Sequence, residues 1–183
     1  MDAQTRFQVG SLPEAFLTPP VGVAETWHFT KALQYVRLTL TNVKIPVTSA
    51  LAYGSLKIAA FPVTNILLVG CEANLTLVKG GIATGIVSAT GVDVALGTVA
   101  ASNTELTSTM ANILALQECD AGLITDTVQA HSLAATPVFT GIVDDVAAVF
   151  LNVAPDGAIS VDDSVTFSGT VDLFYFDLGN VVG

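Results

Sequence analysis

Two histidines, His28 and His131, two cysteines, Cys71 and Cys119, and the acidic pairs Asp144-Asp145 and Asp162-Asp163, with Asp156 between them, are the residues of this chain best able to do chemistry. A histidine beside a serine and an aspartate would be a general base, an activated thiol a nucleophile, and gathered carboxylates a seat for a hard cation such as calcium. Their spacing favours none of these. No Gly-x-Ser-x-Gly turn surrounds a serine, the cysteines lack any CxxC context, and the aspartates lack the spacing of an EF-hand loop. The cysteines therefore read as buried free thiols and the aspartate pairs as solvated loop tips. Gly80, Gly81, Gly85 and Gly91 have neither the Lys-Ser/Thr ending of a P-loop nor a dinucleotide fingerprint, and read as turn glycines. No catalytic residue, cofactor or metal is expected, and the chain is not expected to be an enzyme.

The elements that would carry these residues are short and mostly extended. From Gln34 to Thr41, Val36, Leu38 and Leu40 alternate with polar neighbours, the period-two pattern of a half-buried strand. Further strands are expected at Leu56–Phe61, Asn65–Val78, Ile86–Ala89, Val92–Ala100, Val138–Val143, Ala147–Val153 and Ser164–Leu178. In the last, Val165, Phe167, Val171, Leu173 and Tyr175 share one face. Along Asn65–Val78, Leu67, Val69, Cys71, Ala73, Leu75 and Leu77 oppose Leu68, Gly70, Glu72, Asn74 and Thr76. Asp156-Gly157 reads as a tight turn between antiparallel strands. One short helix is expected within 102–116, capped by Asn103 or Thr104, with Leu106, Met110, Ile113 and Leu114 on one side. Pro13, Pro19 and Pro20 make residues 1–31 an irregular arm ahead of a sandwich domain at 32–183. The expected fold is all-β, an antiparallel β-sandwich of the jelly-roll kind.

The 183 residues suit one such domain, and 51% hydrophobic residues with 12% charged ones exclude a disordered chain. No apolar run reaches the roughly 18 residues of a membrane-spanning helix, and no secretory signal is visible, so synthesis and residence in the cytoplasm are expected. The net charge of −10 is unevenly spread. All six cations, Arg6, Lys31, Arg37, Lys44, Lys57 and Lys79, precede residue 80, whereas twelve of the sixteen acids follow it. A C-terminal part without cations cannot displace phosphate counterions, so no nucleic-acid partner is expected.

Three segments, "GCEANLTLVKGGIATG" at 70–85, "DVALGTVAASNTELTSTMANIL" at 93–114 and "LNVAPDGAISVDDSVTFSGTVDLFYFDLGN" at 151–180, resemble in their strand-and-turn phrasing the small head proteins of tailed bacteriophages. The resemblance implies a capsid decoration or cement protein: a virion structural protein, made in the host cytoplasm, that binds the major capsid protein on the outer surface of the shell and self-associates as a dimer or trimer. Residues 1–60 carry none of the resemblance. The arm still holds Arg6, Phe7, Phe16, Trp27, Phe29 and Lys31, large apolar and cationic groups that are the candidate partner contacts. The rival reading is a carbohydrate-binding sandwich of a phage tail or a secreted protein, with Trp27, Tyr35, Tyr53 or Tyr175 as its aromatic platform.

Overall fold

The computed structural model describes residues 22–28, 34–60, 66–82, 84–86, 91–119, 125–140 and 148–177, those of 23–28 and 125–140 by their backbone. Nine strands are described: β1 (Val23–His28), β2 (Gln34–Val47), β3 (Gly54–Ala60), β4 (Ile66–Lys79), β5 (Val92–Gly97), β6 (Leu114–Cys119), β7 (Thr125–Thr140), β8 (Ala148–Pro155) and β9 (Asp163–Asp177). They form a five-stranded sheet, β1-β2-β9-β4-β7, and a four-stranded sheet, β3-β8-β5-β6. All pairings are antiparallel. Of the seven connections from β2 to β9, six pass from one sheet to the other and only β5 to β6 stays within its sheet.

Alternation explains why these segments are strands. Val36, Leu38 and Leu40 of β2, and Val165, Phe167, Val171, Leu173 and Tyr175 of β9, point inward and are buried. They meet Ile58, Val92, Val94, Leu96, Val149, Leu151 and Val153 of the other sheet in one continuous core. Burial of that apolar area is the main stabilising term of the fold. β4 departs from the expected strict alternation. Ile66 and Leu68 face the core, but beyond a register shift between Leu68 and Gly70 the buried set becomes Cys71, Ala73, Leu75 and Leu77. An extra residue in a strand reverses the faces, which a uniform period cannot show.

The expected helix over 102–116 is corrected. Only Ser108–Met110 forms a single 3-10 turn, and β6 begins at Leu114. Leu106 and Ser108 take φ of +44° and +58°, values an α-helix does not admit. Ile113 and Leu114 belong to the main core, and Leu106 and Met110 are buried in the loop that precedes them. The long β5–β6 connection lies over the outer face of the four-stranded sheet, where Leu106 packs with Ala95 and Ala154 and against Tyr53, Ala101 and Ala111. Asn152, fully buried on that face, fastens it: its amide donates to the carbonyls of Val99 (3.0 Å) and Met110 (2.8 Å). Its oxygen accepts from the Ala101 N–H (2.9 Å) and from the Ser55 hydroxyl. Asn103 accepts from the Glu105 N–H at 2.9 Å, as a cap would, but closes a turn.

Two further expectations change. Val23–His28, assigned to the irregular arm, is an edge strand paired with β2 from Val23 opposite Leu40 to His28 opposite Tyr35. The prolines all lie before it, so nothing in this stretch obstructs a ladder. Asp156-Gly157 does turn, with Gly157 at φ +147°, but it begins a passage from β8 in one sheet to β9 in the other and joins no hairpin.

Candidate functional site

The groups with catalytic potential are held apart. His28 lies in β1 opposite Tyr35, and His131 in β7 opposite Glu72. These are the two edges of the five-stranded sheet, with β2, β9 and β4 between them, so about 19 Å separates the two backbones at the usual strand spacing. Cys71 and Cys119 are buried free thiols of the core, and Cys71 donates to the Ile113 carbonyl at 3.4 Å. Both fit the reading as small apolar side chains.

Asp144 and Asp145 lie outside the described residues. Asp162 is exposed, as its reading as a solvated loop residue expects, whereas Asp163 is half-buried at the start of β9, which corrects that reading for it; both are also braces. Asp162 accepts from the Ser49 N–H (2.7 Å) and hydroxyl (2.9 Å), which hold its carboxyl below the ordinary carboxylate range. Asp163 accepts from the Ile86 N–H (3.0 Å) and from its neighbour Ser164 (2.8 Å). A Cβ at Gly80 or at Gly85 would overlap the Asp163 carboxylate, so these two glycines are there to admit it. Together the two aspartates tie the loops at 48–53 and 80–86 to the start of β9.

A second carboxylate group lies on the four-stranded sheet. Asp93 of β5 is directly opposite Glu118 of β6 and hydrogen-bonded to Asp156. Gly91 leaves the room that Asp156 occupies. Partial burial, then the charges of Asp156 and Glu118, push the Asp93 carboxyl up to about 6. Among the described residues, no group of three or more His, Cys, Asp or Glu side chains is arranged to hold a metal ion.

What remains is surface. One face of the four-stranded sheet is covered by the chain's own loop, whereas the five-stranded sheet turns Thr39, Thr41, Lys44, Glu72, Asn74 and Thr76 to solvent. Arg37 grips Asp172 across this outer face with two bonds, 2.8 and 2.6 Å, in adjacent registered positions of β2 and β9. Beside them the rings of Tyr35 and Phe174 lie 5.9 Å apart. At the opposite end of the sheet Val78 and Ile82 are 39% and 45% exposed, among the most exposed large apolar side chains described. Of the arm contacts expected from sequence, Trp27 is in β1 opposite Val36. Arg6, Phe7, Phe16, Phe29 and Lys31 lie outside the described residues. Sequence reading missed the Arg37–Asp172 pair and the Val78–Ile82 corner. The only signal was one cation and one acid breaking two outward rows of threonine and serine.

No protein-family model matches the chain, and neither does any curated protein. Among solved structures it is similar to a chain of the cyanophage Pam1 capsid asymmetric unit, at 20% sequence identity and a TM-score of 0.31, over 89% of this chain and 94% of that one. So loose a likeness carries no argument, and function has to be read from this chain's own residues.

Proposed function

We propose that this protein is a non-enzymatic structural component of a tailed-phage virion, decorating and stabilising the capsid by binding the major capsid protein in many copies. The strand order carries the reading. With β1 set aside, β2-β9-β4-β7 facing β3-β8-β5-β6 is the order of an eight-stranded jelly roll, an architecture used by viral capsid proteins, lectins and cupins. Fold alone does not choose among these uses, so the site must. A cupin needs ligands inside its sheets, and here the described inward positions are closed by aliphatic and aromatic side chains. A lectin needs an exposed aromatic platform. Tyr175 is in the core and Tyr53 packs beneath the β5–β6 loop, which removes two of the four candidates. The phage-head resemblance of 70–85, 93–114 and 151–180 supports the capsid use over the lectin use, for which Trp27 and Tyr35 are the candidates left.

In this role the protein acts as a rigid body whose contacts oppose opening of the shell by mass action. Arg6, Phe7, Phe16, Trp27, Phe29 and Lys31 are the contacts we assign to the partner, and self-association at local symmetry axes would multiply them. Quantitative mass spectrometry of purified virions tests the reading. A copy number comparable with the major capsid protein is expected, and absence or one to a few copies per particle overturns it.

A further inference from the structure

We infer that the free edge of β6 is a latent strand-pairing surface for a second copy of this chain, and that the Gln117 side chain holds it closed. The Gln117 amide nitrogen donates to the main-chain carbonyls of Ala115 (2.9 Å) and Leu116 (3.0 Å), both in its own strand. Register explains why those carbonyls need a donor. Among the described residues β6 pairs with β5 alone, Val94 facing Gln117 and Leu96 facing Leu114, so Ala95 stands against both Ala115 and Leu116. Such a bulge leaves an extra residue outside the ladder. Its main-chain acceptors would serve the N–H groups of any strand that approached, and Gln117 fills them from within the chain.

The edge is open to solvent and adhesive in character. Ala115, Leu116 and Glu118 are exposed and Gln117 is half-buried. Main-chain acceptors beside an exposed leucine are the combination that recruits another strand. A second copy fits it best, because two identical edges laid antiparallel about a two-fold axis complement each other without a second sequence. The other sheet edges show the same pressure. β3 carries an extra residue between Lys57 and Ala59, and β7 sets residues 134–137, Pro137 among them, against residue 69 of β4. Of the four edges described, β1 alone pairs without a break, from Val23 to His28. β6 has no proline and a single charge, Glu118, so the carboxamide of Gln117 supplies much of its protection.

The test uses the full chain and needs no capsid. Self-association of the wild type, measured by sedimentation equilibrium, is the reference. Gln117→Val and the near-isosteric Gln117→Met both remove the donor, and whichever of them folds, by circular dichroism and thermal unfolding, carries the test. Each is expected to self-associate about tenfold more tightly or better, since two acceptors are released on every edge. Adding Leu116→Lys should return association to the wild-type level, because a charge on an edge strand opposes pairing. Adding Ala115→Cys to the Gln117 variant should give a covalent dimer on oxidation, far more than Ala115→Cys alone. Unchanged association of the Gln117 variants overturns the inference. Association that Leu116→Lys leaves in place, with no covalent dimer, overturns it too, by putting the contact elsewhere. None of these outcomes bears on virion copy number, so this inference and the decoration role stand or fall separately.

Discussion

The side-chain amide of Asn152 donates to the main-chain carbonyl of Met110 at 2.8 Å, joining the middle of β8 to a loop 42 residues earlier in the chain. With its bond to Val99 and the two that its oxygen accepts, the carboxamide is satisfied inside the protein. Asn152→Leu should therefore cost far more than an ordinary surface change, about 3 kcal/mol or more, because it leaves buried carbonyls and N–H groups of the loop without partners. Urea unfolding measures the loss. Hydrogen exchange should show it concentrated in residues 98–113, and uniform exchange across both sheets would contradict the fastening role.

Gly80 and Asp163 should behave as one unit. Gly80→Ala forces its methyl into the space of the Asp163 carboxylate, so the bond from Ile86 is lost or the loop shifts, at about 2 kcal/mol. In an Asp163→Ala background the obstacle is gone, and the same glycine change should cost much less. Equal costs in the two backgrounds, measured as a double-mutant cycle, would show that the glycine serves the backbone turn alone.

The Asp93 carboxyl makes stability depend on pH in the direction opposite to a salt-bridged acid. Its pKa is pushed up to about 6, above the roughly 3.9 of an unfolded chain, so the native state holds this proton more tightly. The contribution is full below about pH 4, declines between pH 4 and 6, and is gone above that range. Asp93→Asn keeps a donor toward Asp156 without the charge. It should stabilise the protein at pH 7 by ~1 kcal/mol, after discounting for solvent screening of this half-exposed group, and have no effect near pH 4. Chemical denaturation at the two pH values checks the sign.

Removing one partner of the ion pair on the sheet face should hurt more than removing both. Arg37→Met leaves Asp172, 7% exposed at its side chain, beneath the face without its guanidinium. Arg37→Met with Asp172→Leu restores a consistent apolar contact. The double variant is expected to melt above the Arg37 single variant, and the reverse order would mean that solvent reaches Asp172 freely.

Legibility in the sequence followed the physics of each element. β2 and β9 were readable because one face meets the core and the other meets solvent, so side-chain type alternates with burial. β6 was not: only its end residues Leu114 and Cys119 are buried, and the apolar positions preceding it mimic a helical period while serving a folded-over loop. β7 escaped as a continuous strand because Thr125–Thr140 is rich in small and polar residues and contains Pro137, yet the ladder with β4 accommodates it through the register change between Leu68 and Gly70. Asp163 could not be recognised as a brace, since its partners Ile86 and Gly80 are 77 and more residues away. Arg37 and Asp172, 135 positions apart, pose the same difficulty.

The last of the described strands sits in the interior of its sheet: β9 pairs with β2 on one side and β4 on the other. During synthesis β2 and β4 therefore wait without a shared partner until residues 163–177 have emerged, and the five-stranded layer cannot be completed co-translationally from its N-terminal end. Gln34 must find Tyr175 across almost the whole chain, so contact order is high and folding should take milliseconds to seconds, with the apolar faces of β2 and β4 open to one another or to other chains in the interval. A chain cut anywhere before Asp163 would lack the strand that joins β2 to β4, and its expected fate is aggregation, even though every residue of the covering β5–β6 loop would still be present.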